Sequence, residues 1–251
     1  MVTLIELAAV IAVLSFISGM LGIGAALVVA PVLALFGYGL KDVIQPWALL
    51  LNGSSALSAS FGFIRARMVD YRAAVPVAII CTLGAPLGVL LAKWSPTSLI
   101  WWLYIASLLF VAAGMIRRRP DLSESVAEIP GRARRATNVA SLPISVFSGF
   151  LGVGPGFLLV PAMMAAGLGA RIAAATNSLA VVLPSFAAFG THLTTARLDW
   201  TTVIATCVVG AVTSYAGARF TVAKVRSRPL ALAFALVMIG LAIERAVVLL
   251  S

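Results

Sequence analysis

Two short glycine strings in this chain could do chemistry: Gly22-Ile23-Gly24-Ala25 and Gly152-Val153-Gly154-Pro155-Gly156. Each interrupts an apolar run and is followed by residues that can start a new helix. The first turn of a helix leaves backbone N–H groups unpaired and carries the positive end of the helix dipole, and glycine lets a ligand approach the backbone closely. Such an end binds anions. Asn52 and Ser55 follow the first string, and Asn177 and Ser178 follow the second. Their amide and hydroxyl donors suit the oxygens of an oxyanion, and a polar group in apolar surroundings needs a partner or a ligand. His192, the only histidine, could carry a proton or touch the anion, while its place near a helix end equally fits a structural role. The candidate binding set is therefore Gly22, Gly24, Ala25, Asn52, Ser55, Gly152, Gly154, Gly156, Asn177, Ser178 and His192. The competing reading is packing: small residues let helices approach, and serines bond between helices.

The pairing of the strings favours a site. Residues 18–31 read SGMLGIGAALVVAP and residues 148–161 read SGFLGVGPGFLLVP, in register at a constant offset of 130. The register continues through Gly37/Gly167, Gly39/Gly169 and Lys41/Arg171. The chain is an internal duplication, and glycine-interrupted apolar segments at matching places in two halves point to a transport site.

The elements that must position these residues are membrane helices. Hydrophobic residues make up 62% of the chain and charged residues 10%, far from the balance of soluble domains. Apolar stretches of about the 20-residue spanning length recur near 3–37 (with the first break), 44–64, 73–92, 97–116, 138–166 (with the second), 172–195, 200–219 and 229–250. Their continuity lacks the alternation of barrel strands. The first segment has no basic flank, carries Glu6 and lacks a small-residue cleavage pattern, so it is expected to be retained rather than removed as a signal. The charged, proline-containing stretch 117–136 reads as a basic cytoplasmic linker between a first repeat, 1–116, and a second, 137–251.

Orientation follows from the distribution of Lys and Arg in short loops. If the glycine-broken segments are single crossings, the 18 basic residues divide 11 to 7 between the two sides. If the chain turns back at each Gly-x-Gly, only Lys41, Lys93, Arg197 and Arg245 fall on the minority side, and the other fourteen share the opposite one. The second arrangement is preferred. It gives an all-α polytopic membrane protein of two homologous, inverted repeats, each a glycine-broken hairpin followed by three transmembrane helices. It also accounts for the net charge of +10 without nucleic acid.

Other chemistry finds little support. The sequence offers no Ser/His/Asp set, no metal-ligand cluster and no matched pair of buried carboxylates, so neither an intramembrane enzyme nor a metal or other cofactor is expected. Cys81 and Cys207 occupy equivalent places ahead of Gly84 and Gly210, as small packing residues would. Asp70-Tyr71 and Asp199-Trp200 recur at the start of one helix in each half, reading as caps with interfacial aromatics.

The duplicated GMLGIG and GFLGVG signatures, the Gly37-Tyr38-Gly39 and Gly167-Leu168-Gly169 turns, the basic linker and the length resemble the TauE/SafE family of membrane transporters, over nearly the whole chain. One departure is that the family often continues its Gly-x-Gly with more glycines, where this chain has Ala25 and Ala26, and Pro155 before Gly156. The resemblance implies a multi-pass protein of a bacterial cytoplasmic membrane that moves small sulfur-containing anions, such as sulfite, sulfoacetate or other organosulfonates. Membrane lipid and the anion are its expected partners, with the oligomeric state open. A passive anion channel or a non-transporting assembly factor are the alternatives.

Overall fold

The computed structural model describes residues 4–117, 131–223 and 228–250. Among these, all regular structure is helical: α1 (Leu4–Leu21), α2 (Ala26–Leu35), α3 (Gln45–Arg65), α4 (Tyr71–Trp94), α5 (Thr97–Arg117), α6 (Gly131–Leu151), α7 (Gly156–Ala165), α8 (Ala170–Ala180), α9 (Val182–Gly190), α10 (Trp200–Val222) and α11 (Arg228–Leu250). A π-helical turn, Leu40–Ile44, runs into α3. Six of these helical stretches are long and apolar enough to cross a membrane. The duplication is visible element by element: α2 and α7 begin and end 130 residues apart, and α1, α4 and α5 have α6, α10 and α11 as counterparts. The central linker 118–130 and the basic residues Lys224 and Arg226 lie outside the described residues.

Local chemistry explains where helices start and break. Asp70 caps α4, its carboxylate accepting from the N–H groups of Arg72 and Ala73, and Asp199 caps α10 through Thr201 in the same way. Pro31 and Pro161 sit at the same place in α2 and α7. A proline inside a helix cannot donate to the carbonyl four residues back. For Pro31 that carbonyl is Leu27 O, and it accepts instead from the Tyr104 hydroxyl at 2.9 Å. The third segment differs between the halves. α3 is continuous, but its counterpart breaks into α8 and α9 at Val181, just before Pro184, which cannot donate to the Ala180 carbonyl.

Packing runs mainly between the halves: α1 lies against α10, α4 against α6, and α3 against α10, α8 and α9. Glycines make the closest approaches. A Cβ on Gly217 of α10 would strike the backbone of Phe16 and Met20, and one on Gly88 of α4 the backbone of Val146 and Phe150. The order of contacts gives relative directions. Gly210 approaches Ser15, Gly217 approaches Phe16 and Met20, and Thr221 donates to Met20 O, so α1 and α10 run the same way. Trp47 bonds Thr206 while Gly62 meets Ala218, so α3 shares that direction. Cys81 with Ser141 and Gly88 with Phe150 make α4 and α6 parallel. Asp70 with Thr176 and Lys93 with Thr191 make α4 parallel to α8 and α9. Asn52 with Ser185, and Phe63 clustered with Ala175, set α3 against them.

Candidate functional site

Both glycine strings form the same turn between helices. Gly22 and Gly152 hold φ of 69° and 72°, in the left-handed region that glycine favours, and Gly24 holds 89°. Gly154 needs no such conformation, because it precedes Pro155 and proline biases the preceding residue towards extended backbone. The helices that follow, α2 and α7, have no side-chain cap at Ala25 or Pro155. Their first N–H groups therefore receive no help from a neighbouring side chain.

The two turns meet each other and the opposite half. Gly22 packs on Ala174, and Gly152 on the Gln45 side chain, so each turn rests on the third segment of the other repeat. Gly24 and Gly154 both abut the Asn52 amide, where any Cβ would collide. A Cβ on Gly156 would stand 2.6 Å from Asn177 Nδ2 and 2.8 Å from Ile23 O. Asn52 lies midway along the 26-residue stretch Leu40–Arg65, which spans about 39 Å at 1.5 Å per residue, so the turns converge on the middle of that stretch.

The amides are oriented by their partners. Asn52 Nδ2 donates to Ser185 Oγ at 2.8 Å, and Ser185 donates its one proton to Val181 O at 2.7 Å, so Ser185 can only accept from Asn52. Asn177 Nδ2 donates to Gly22 O at 2.5 Å, a carbonyl that can only accept. Both side chains are fully buried, and their Oδ1 atoms have no partner. Each amide expected to face an anion thus has one of its two N–H donors engaged with protein in this conformation. The Ser15, Ser18 and Ser55 hydroxyls are different: all three are buried and unpartnered.

Ser18 and Ser55 line a small half-open cleft, with room for about one water molecule, together with Gly19, Gly22, Gly24, Ala25, Ala56, Ala59, Ser178, Val181 and Ser214. It extends from the level of Asn52 towards the ends of α3 and α10, where Arg65 and Arg219 stand. Among the described residues no charged side chain lines it. Of the residues expected from sequence, Gly22, Gly24, Ala25, Ser55 and Ser178 line this cavity; Asn52, Gly154, Gly156 and Asn177 form its inner contact with the second turn, and Gly152 packs behind it on Gln45. His192 stands apart, two turns beyond Ser185 at the far end of α9. It is buried, and desolvation together with the nearby Lys93 charge pushes its pKa down to about 4. Sequence reasoning missed Ser15, Ser18 and Ser214; the match of Ser18 with Ser148 across the duplication was the available signal. Among the described residues no group of His, Cys, Asp or Glu could hold a metal ion.

Long apolar helices and two matched glycine turns that meet beside a serine-bearing cleft fit a polytopic membrane protein of the transporter class. The sulfite exporter TauE/SafE family matches residues 7–245, and the chain belongs to that family. No curated protein and no solved structure matches it.

Proposed function

We propose that this protein is a secondary transporter of small sulfur-containing anions, such as sulfite, sulfoacetate or other organosulfonates, in a bacterial cytoplasmic membrane. The anion binds at the cavity end of the two Gly-x-Gly turns, and the halves alternate its access. The observation that carries this reading is the convergence of both turns on Asn52, beside unpartnered Ser18 and Ser55 hydroxyls. Neutral hydroxyls, first-turn N–H groups and two helix dipoles supply attraction there without a fixed cation. An anion held in this way is stabilised yet able to leave.

The repeats are inverted on this reading. α1, α3 and α10 share one direction, whereas α4, α6, α8 and α9 share the opposite one, so α1 opposes its counterpart α6. The chain must return between α1 and α3, and the ten-residue α2 is the segment available to do so, at about 15 Å half the thickness of a hydrocarbon core. Arg65, Arg72, Arg117, Arg134, Arg135, Arg171 and Arg219 then share one face, which the positive-inside tendency makes cytoplasmic. Lys41, Lys93, Arg197 and Arg245 share the other. Residues 1–116 and 137–251 form the two repeats, joined by the linker 117–136, whose last residues, from Gly131, already belong to α6.

A thermal-stability screen of the purified protein with sulfite, sulfate, thiosulfate and a series of organosulfonates tests the site. A ligand selective for the native state at 100 times its Kd adds about 2.7 kcal/mol. Stabilisation by a sulfur oxyanion, lost in Ser18→Ala with Ser55→Ala, is expected. No stabilisation by any of these anions would contradict the reading.

A further inference from the structure

The residues of this cleft have counterparts in the other half. Carried across the duplication, Ser18, Gly19, Gly22, Gly24 and Ser55 become Ser148, Gly149, Gly152, Gly154 and Ser185, identical at every position. These counterparts lie on the other side of Asn52, towards Lys41 and Lys93. Two observations set this side apart from the first. Ala56 and Ala59 of the open side become Phe186 and Phe189, which fill the space: the Phe186 ring lies where a Cβ on Gly53 would be 3.0 Å away, and Phe189 packs on the cluster of Leu49, Ala85, Val89 and Ala188. The hydroxyls are also spent. Ser148 donates to Ser145 O at 3.1 Å and Ser185 to Val181 O at 2.7 Å, whereas Ser18 and Ser55 have no partner.

We propose that Ser148, Gly149, Gly152 and Ser185 form a second anion chamber, facing the Lys41 side and closed here by Phe186 and Phe189. This rests on the transporter reading and deepens it: the two chambers are the two access states of one oxyanion site, with Asn52 between them. Both aromatic rings ride on α9, and at its junction with α8 the backbone ladder continues through Val181 but lacks the bond that Pro184 cannot donate to Ala180 O, which makes this the weak point about which α9 can swing. Swinging α9 outwards withdraws both rings and separates Ser185 from Asn52, freeing the Asn52 amide donor. Closing bonds at the mouth reinforce the present state: Lys41 Nζ donates to Ser95 O at 2.6 Å, and Lys93 Nζ to Thr191 O at 3.0 Å just after α9. The asymmetry of alanines against phenylalanines makes the Arg65-side state the resting one.

Single cysteines at Ser18→Cys and Ser148→Cys test this in a background with Cys81→Ala and Cys207→Ala, the two native cysteines being buried. A membrane-impermeant methanethiosulfonate is applied to oriented vesicles from each face. Ser18→Cys is expected to react from the basic face, and Ser148→Cys only from the opposite face and at least tenfold more slowly. Phe186→Ala with Phe189→Ala should raise the Ser148→Cys rate at least tenfold and lower the Ser18→Cys rate; Phe186→Leu should do the same to a smaller extent. Reaction of Ser148→Cys from the same face as Ser18→Cys would overturn the proposal. So would an unchanged rate in Phe variants that still react at the Ser18 position and are therefore folded. Labelling needs no substrate, so the two readings fail separately. Sulfite transport with an unmoved Ser148→Cys rate sinks the chamber alone, and labelling from opposite faces without transport of any sulfur anion sinks the substrate assignment alone.

Discussion

Gly24 bears two constraints at once. It combines a left-handed φ with direct contact on the Asn52 amide, so a side chain there costs backbone strain of about 1–2 kcal/mol and displaces Asn52 as well. Gly24→Val is therefore expected to reduce transport at least a hundredfold while the protein still elutes as a single folded species; transport within twofold of wild type would contradict the site. The glycines were legible in sequence because the same spacing occurs twice. The serines were less so, since Ser15 and Ser18 look like packing residues until their lack of partners is seen. The committed amide nitrogens of Asn52 and Asn177 were not legible, because hydrogen-bond partners 133 and 155 residues away leave no local pattern. His192 offers a separate test. Its pKa of about 4 lies below the ordinary 6.5, so the unfolded chain binds the extra proton between those values. Its contribution to stability is full above about pH 6.5 and is lost as pH falls towards 4, up to about 3 kcal/mol. The melting temperature should fall across that window, and His192→Gln should flatten the fall.

At the scale of elements, prolines and glycines set the helix ends and the distances between helices. Pro31 frees the Leu27 carbonyl, and the buried Tyr104 hydroxyl takes it up. Tyr104→Phe leaves that carbonyl without its partner at a cost of about 1–3 kcal/mol, to be read as a lowered melting temperature; an unchanged value would show that another donor replaces the hydroxyl. The second half has Phe234 at the equivalent place, so the device belongs to one repeat only. Helix existence was plain from the apolar runs, and the caps at Asp70 and Asp199 from their recurrence. The break at Val181 was not, because Val181 itself carries no breaking signal. The cause is Pro184, three residues on, and several other prolines in this chain sit inside helices that continue past them.

At the scale of the molecule, a duplicated chain packs each half into the other. The turn of one repeat rests on the third segment of its twin, so neither half can build the site alone. Sequence disclosed the duplication through its constant offset, and the placement of its arginines led to the orientation proposed above. It could not disclose how the two sides of Asn52 differ in packing, since both share the same serines and glycines and differ by a pair of alanines against a pair of phenylalanines. That difference is a property of packing, visible only once α9 is set against α3. The central claim, that this family member carries a sulfur oxyanion between its two glycine turns, is tested most directly by counterflow. Proteoliposomes preloaded with unlabelled sulfite are diluted into a trace of radiolabelled sulfite, with Gly24→Val and Gly154→Leu as controls. The predicted result is saturable, transient accumulation of label above equilibrium that both substitutions abolish. Uptake no greater than in protein-free vesicles, or uptake that rises linearly with concentration and never overshoots, would contradict it.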